Sequence, residues 1–152
     1  MNIIYNKINR FWPDSLKVQN QIESRYDFED MVKWALQDLK DINVIIFENP
    51  KLLKRLSNEE YDLKAFLYAL PVPHNYQIIC AHNALTPIIL MHECVHIKQF
   101  ERGDLKRVEN DYFWKGEKYD NSIPYKARPW EIEAFSLENK MWKDYKKDLK
   151  SI

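Results

Sequence analysis

The alternation of apolar and polar residues predicts a first helix followed by three strands. In residues 28–41, apolar side chains recur at the spacing of an amphipathic helix that packs on a core. Segment 43–49, NVIIFEN, is rich in β-branched residues and predicts a short buried strand. The polar segment 49–62 is predicted to be a connector that is helical in part. Segments 64–70 and 76–82 are predicted to be antiparallel strands, because the PVPHN sequence between them is typical of a loop.

A central helix is predicted over about residues 87–102. Thr86 offers a capping hydroxyl, Pro87 suits the first turn of a helix, and Gly103 lies where a helix would end. Apolar residues point in nearly every direction around this helix, which is typical of a buried helix. The central helix is therefore expected to lie inside the protein.

The remainder of the chain predicts a hairpin and a long last helix. Residues 112–119, YFWKGEKY, are consistent with a hairpin, and the last helix is expected to run from Pro129 to the C-terminus. At 152 residues, the chain has the size of one domain, so residues 1–152 are predicted to form a single α+β domain. The first forty residues give no functional signal.

The central helix contains the sequence HECVH, which has the spacing of a metal-binding motif. His92 and His96 are four residues apart and share one face of a helix, so both imidazoles can face a single tetrahedral ion. Glu93 lies about 100° around the helix from His92, which suits contact with a water on that ion better than direct coordination. Since unpaired charge inside a protein is costly, the buried setting favours a bound cation, and two imidazoles with a carboxylate suit zinc best.

A catalytic zinc needs a third protein ligand from elsewhere in the chain. On the last helix, Glu131 falls within the arc that contains the predicted apolar stripe, whereas Glu133 lies about 200° away from it. Glu131 is therefore the preferred ligand, although an acidic residue also suits the start of a helix for reasons unrelated to metal. The predicted stripe comprises Trp130, Ala134, Leu137, Met141 and Tyr145. The other ligand candidates are His74, His82, Glu133, Asp111 and Asp120.

HECVH followed 35 residues after its second histidine by EIEA resembles the gluzincin branch of zinc metallopeptidases. The sequences HECVHIKQFERGDL, FWKGEKY and YKARPWEIEAF also resemble small stand-alone HExxH domains of bacterial and phage proteins. The resemblance covers residues 76–135. It implies a zincin-like fold with a small mixed or antiparallel sheet beside the active-site helix, in which the YQIICA strand is closest to that helix. Many relatives have an aspartate where this chain has Phe135, so the group that orients a metal-bound histidine is not assigned.

The resemblance also implies a peptide or protein substrate and a reaction. Zinc held by His92, His96 and Glu131 would activate a water, and Glu93 would take its proton during attack on a peptide carbonyl. Tyr125 is the preferred stabiliser of the oxyanion, ahead of Tyr119, His82 and Arg128. An edge strand could bind an extended peptide by adding it to the sheet. The alternatives are a catalytically inactive module stabilised by metal, and a chain in which both histidines are core residues without metal.

Composition and charge argue against several other classes of function. Lys plus Arg and Asp plus Glu both number 23, so the formal charge is zero and binding of nucleic acid is not expected. Apolar runs are too short for a signal-peptide core or a membrane span, and the two cysteines form no CxxC pair. A cytoplasmic protein with no membrane contact is predicted, in which Cys80 and Cys94 are buried.

Overall fold

The computed structural model describes residues 12–56, 63–120 and 122–150, and they form an α+β fold. The strands are β1 (Leu16–Asn20), β2 (Ile42–Glu48), β3 (Ala65–Ala69), β4 (Asn75–Cys80), β5 (Leu105–Val108), β6 (Asp111–Trp114) and β7 (Glu117–Tyr119). The helices are α1 (Phe28–Ala35), α2 (Pro50–Leu56), α3 (Pro87–Glu101) and α4 (Pro129–Lys150), and a short 3-10 turn spans Tyr125–Ala127. The predicted helical part of segment 49–62 is α2, whereas residues 57–62 lie outside the described part of the chain.

The first sheet is mixed and has the strand order β1-β2-β4-β3. Strands β1, β2 and β4 are parallel, and β3 pairs antiparallel with β4, as predicted for these two segments. Strand β1 was not predicted from the sequence. It is short, and its partner β2 lies beyond α1, so the pairing that stabilises it is not local in sequence.

Alternating side chains of this sheet form the apolar core. Every second residue of β2 is buried, from Ile42 to Ile46, because successive side chains point to opposite faces of a strand. These residues pack in one cluster with residues of α1, α3 and α4. The cysteines Cys80 and Cys94 are buried within this cluster and unpaired, as predicted.

Helix α1 ends at Ala35, six residues earlier than its amphipathic pattern predicted. The backbone continues in turns, in which the Leu39 amide donates to the Leu36 carbonyl at 2.8 Å, and Asp41 adopts a φ of 58°. Leu36 is nevertheless buried, and Leu39 packs on the core. The apolar pattern is therefore satisfied by turns as well as by a helix, which explains the error in the predicted boundary.

Helix α3 begins and ends as its sequence predicted. The Thr86 hydroxyl oxygen accepts a hydrogen bond from the Ile89 amide at 3.3 Å, and Gly103 adopts a φ of +81° just beyond the last turn. Most residues of α3 are buried, including its histidines and Glu93. The strand closest to α3 is β3, not the YQIICA strand β4 that the resemblance implied.

The predicted hairpin is formed by β6 and β7, and β5 extends it to a three-stranded antiparallel sheet. The turn between β6 and β7 consists of Lys115 and Gly116, with φ values of 50° and 84°. Two successive positive φ values suit a two-residue hairpin turn, and glycine adopts such values without strain. This sheet lies between α3 and α4 in the chain.

Helix α4 is rotated relative to the stripe predicted for it. Trp130, Ala134 and Tyr145 are buried, but Leu137 is 38% exposed. The Glu138 side chain is only 15% exposed, so the buried arc of α4 is centred closer to Glu131 and Glu138 than the predicted stripe. In the described parts of the chain, no helix combines the length and the apolar character needed to cross a membrane.

Candidate metal centre

Helices α3 and α4 bring His92, His96 and Glu131 together. One carboxylate oxygen of Glu131, Oε1, lies 2.8 Å from His92 Nε2 and 3.1 Å from His96 Nε2. One potential ligand atom from each residue lies within 4.8 Å of the other two, and all three residues are buried. This group can hold a metal ion. The periodicity of α4 correctly predicted that Glu131, and not Glu133, faces the two histidines.

The charges within this group perturb its titration. Burial disfavours protonated His96, but the negative charge of Glu131 and the hydrogen bond to it outweigh burial and raise the pKa of His96 to about 9. Burial likewise disfavours the Glu131 carboxylate, but the positive charge of His96 and hydrogen bonds from both histidines lower its pKa to about 2. Negative charge is therefore strongly favoured at Glu131, and positive charge is favoured beside it.

The two imidazoles face more hydrogen-bond acceptors than two neutral rings can satisfy. His92 directs Nδ1 at Glu138 Oε2 (2.8 Å), and His96 directs Nδ1 at Gln99 Oε1 (2.7 Å), while both Nε2 atoms face Glu131. A neutral imidazole has one N–H, so it can satisfy only one of the two oxygens it faces. Either an extra proton on each ring or one metal ion between the Nε2 atoms and Glu131 removes the mismatch. The donor set of two imidazoles and a carboxylate therefore fits a divalent ion such as zinc.

Glu93 lies beside this group without joining it. Its side chain is buried, and its Oε2 atom has no hydrogen-bond partner among the residues that the structure describes. Burial raises the pKa of Glu93, against the opposing effect of the charges of His96 and His92. An unpartnered buried carboxylate oxygen with a raised pKa suits a group that exchanges a proton.

The outer partners of the histidines were not predicted from the sequence. Glu138, seven residues after Glu131 on the same face of α4, accepts from His92, and Gln99, three residues after His96, accepts from His96. The Gln99 amide nitrogen also donates to the Trp130 carbonyl at 2.9 Å. The spacing of seven residues is a signal for Glu138, since it places two side chains on one helical face.

The other predicted ligand candidates lie elsewhere. His74 pairs with Glu101 at 2.7 Å, and exposed His82 lies 3.4 Å from Glu48. Glu133 accepts hydrogen bonds from Gln99 and Arg102, Asp111 pairs with Lys118, and Asp120 with Ser122. None of the five joins the cluster of His92, His96 and Glu131 in the described part of the chain.

A cavity of about 70 Å³ adjoins the site and has room for a few water molecules. Tyr125 and Arg128 are among its lining residues, together with Glu93, His96 and Glu131. Burial and the nearby Glu131 carboxylate, to which its hydroxyl is hydrogen-bonded, raise the pKa of Tyr125. The two other candidate oxyanion stabilisers, Tyr119 and His82, do not line this cavity, whereas Tyr112, which was not among the predicted candidates, does.

Three comparisons with known proteins gave no match: no protein-family model, no curated protein and no solved structure matches this chain.

Proposed function

We propose that this chain is a zinc-dependent metallopeptidase with a zincin-like fold, and that it hydrolyses peptide bonds of a peptide or protein substrate. The single observation that supports this most is the arrangement around Glu131. Two Nε2 atoms meet one carboxylate oxygen, and beside them lies Glu93, whose Oε2 atom has no hydrogen-bond partner in the described part of the chain. A site that only stabilised the fold would have no need of Glu93.

His92, His96 and Glu131 are the proposed zinc ligands. Three protein ligands with N and O donors would leave a bound zinc ion able to take a water as well, as in catalytic zinc sites, and the adjoining cavity has room for water. When bound, zinc supplies Lewis acidity to a carbonyl oxygen and lowers the pKa of a water.

Glu93 is the proposed general base. Its Oε2 atom accepts a proton from the attacking water and then gives it to the nitrogen of the departing amine, so the peptide bond is replaced by an acid and an amine. The raised pKa of the buried carboxyl group suits the first of these steps, because a carboxylate with a raised pKa is a stronger base and takes a proton from water more readily.

Tyr125 is the proposed hydrogen-bond donor to the oxyanion. Its raised pKa keeps the phenol protonated at neutral pH, as donation requires. The hydroxyl is engaged with Glu131 in this structure, and it belongs to the same cavity as Glu93. It would donate to the substrate oxygen once zinc and substrate are bound.

Strand β3 supports the proposed peptide substrate. It is the outermost strand of the four-stranded sheet on the side nearest to α3, and Ala65, Phe66 and Leu67 line the cavity. The outer edge of such a strand can pair with an extended chain through backbone hydrogen bonds. A substrate bound in this way would present its carbonyl groups beside Glu93.

Elemental analysis and a cleavage assay together test the proposal. We expect about one zinc per native chain, loss of zinc in His96→Ala and Glu131→Gln, and normal zinc content in the controls His82→Ala and Glu23→Gln. With a library of fluorogenic peptides as probe, Glu93→Gln should lower the rate of cleavage by roughly 100-fold or more while zinc content stays normal.

The outcomes separate the proposal from its alternatives. Zinc binding without cleavage of any peptide, with no effect of Glu93→Gln on zinc or stability, would favour a module that uses metal only for its structure. A native chain that takes up no zinc, even when zinc is supplied, would leave both histidines as core residues and overturn the proposal.

A further inference from the structure

We infer that Glu138 and Gln99 are positioning residues that set the tautomers of His92 and His96, and that Glu138 supplies a second negative charge that matches the site to a divalent ion. The inference rests on the proposed zinc site. It extends that site by two side chains outside the HExxH motif and the EIEA sequence.

The first step concerns which ring nitrogen of each histidine carries the proton. Glu138 Oε2 and Gln99 Oε1 each lie within 2.8 Å of the Nδ1 atom of a histidine, and both oxygens are acceptors. An Nδ1–H on each ring therefore donates outward, which leaves the lone pair of each Nε2 atom directed at Glu131 Oε1 and at the same point in space. Without these acceptors, each neutral ring would be free to protonate Nε2 and lose its metal-binding atom.

The second step concerns charge. With both imidazoles neutral, the carboxylates that face the ring nitrogens are Glu131 and Glu138, whose summed charge of −2 equals and opposes that of a divalent ion. The Glu138 side chain is only 15% exposed, so solvent screens this charge weakly. A carboxylate that accepts from Nδ1 also makes the imidazole a stronger donor to a metal.

The third step explains why the two partners differ. Gln99 is fully buried and must do two things at once: its oxygen accepts from His96, and its nitrogen donates to the Trp130 carbonyl at 2.9 Å and to Glu133 Oε1 at 3.0 Å. A glutamate here would direct a carboxylate at two other oxygens. An amide is thus the group that fits beside His96, and the negative charge enters the outer contacts through Glu138.

The experiment measures zinc affinity by competition with a chromophoric chelator, and the absorption spectrum of the cobalt(II)-substituted protein as a report of ligand geometry. We expect Glu138→Gln to weaken zinc binding by roughly 10-fold, because an acceptor remains and the charge is lost, and Glu138→Ala to weaken it by up to roughly 100-fold with a changed cobalt spectrum. Gln99→Glu should also weaken binding, although it adds a carboxylate. The matched control is Asp144→Asn, which removes a carboxylate of α4 that pairs with Lys140, and it should leave affinity unchanged.

The results distinguish this inference from the proposed function. A native chain without zinc would overturn both. Native zinc binding with equal affinity and an unaltered cobalt spectrum in Glu138→Gln and Glu138→Ala would overturn the inference and leave the three-ligand site intact. A Glu138→Ala protein that unfolds more easily but binds zinc as tightly as the native chain would have lost only packing, which also contradicts a positioning role.

Discussion

The two sides of helix α3 make an instructive comparison. On one side Leu90, Cys94 and Ile97 are fully buried in the apolar cluster shared with the four-stranded sheet. On the other side His92, His96 and Gln99 are buried as well, but each forms hydrogen bonds. The same helix therefore has one side on which size and apolarity suffice, and one on which the direction of every polar atom matters.

Because of this difference, the two sides of α3 are expected to affect different properties of the protein. Apolar burial contributes free energy in proportion to area and has little directionality, so neighbouring side chains can adjust to one another. A buried polar group stabilises the fold only when its partners are in place. We therefore expect changes on the apolar side to alter stability without altering zinc affinity, and changes on the polar side to alter zinc affinity or pH dependence.

The largest effect is expected on the apolar side. Leu90→Ala removes a fully buried side chain and should lower the free energy of unfolding by about 2–5 kcal/mol, because a cavity remains. Denaturant titration would measure the loss, with Val72→Ala, at a side chain 64% exposed, as a control expected to change stability by less than about 0.5 kcal/mol. A folded Leu90→Ala protein with strongly reduced zinc affinity would contradict the expectation that the apolar side of α3 affects stability alone.

Zinc itself should give the next largest effect. At a free zinc concentration a thousandfold above its dissociation constant, binding to the folded state alone raises the free energy of unfolding by about 4 kcal/mol. The same increment is expected in the native chain and in Leu90→Ala, and none in His96→Ala. Thermal melts with zinc or with chelator would check this, and equal stabilisation of His96→Ala would contradict the assigned ligands.

A single polar contact outside the site sharpens the comparison. The Tyr145 hydroxyl donates to Asp30 Oδ2 at 2.8 Å, and the Trp12 indole donates to Asp30 Oδ1 at 2.7 Å. Tyr145→Phe should lower the free energy of unfolding by about 1.5–3 kcal/mol, since it removes a donor to a buried carboxylate. Zinc affinity should not change, and isothermal titration would reveal any change.

The smallest effect, expressed per pH unit, is expected in the free energy of unfolding of the zinc-free chain. The pKa of His96 is raised from 6.5 to about 9, so protonated His96 stabilises the fold fully below pH 6.5, and this contribution is lost as pH rises through 9. For one proton the slope is at most about 1.4 kcal/mol per pH unit. The pKa of Glu131 is lowered from 4.5 to about 2, so its contribution is lost only as pH falls from 4.5 through 2.

Denaturant titrations of chelator-treated protein at several pH values would measure this decline. If zinc binds at His96 as proposed, it displaces the His96 proton, so the apparent zinc affinity should rise between pH 6.5 and 9 as that proton becomes easier to displace. An unfolding free energy that stays constant from pH 6.5 to 9 in the zinc-free native chain, or that declines equally in His96→Ala, would contradict the assignment.

The sequence predicted the inner cluster better than its surroundings, for a physical reason. His92 and His96 share a face by helical geometry alone, and Glu131 followed from the periodicity of α4. Glu138 was not predicted. To choose between it and Leu137, the rotation of α4 about its axis must be known more finely than the angle between successive residues. Gln99 was not predicted either, because its partner, the Trp130 carbonyl, becomes a neighbour only when α3 and α4 pack.

The same distinction applies to the fold. Helix α3 was predicted to within one residue, since Thr86 and Gly103 act locally at its two ends. Strand β1 has only a short alternation of apolar and polar residues, with buried Leu16 and partly buried Val18, and its parallel pairing to β2 is a distant contact. The zincin-like character of the fold and the role of Tyr125 stay predictions. The ligand roles and the catalytic role of Glu93 are predictions that the experiments above would test.

The turn at Lys115 and Gly116 has a practical consequence for engineering. It is exposed, it ends a small sheet, and, apart from the adjacent residues, nothing in the described part of the chain lies within 4 Å of a Cβ atom added at Gly116. His96 and Glu131 are separated by 35 positions, but α3 and α4 contact each other directly. The contact between these two helices therefore does not depend on the length of the turn at the end of the sheet. Lengthening an exposed loop costs little free energy. A reporter sequence could be inserted at this turn as a tag that leaves the spacing of the two helices unchanged.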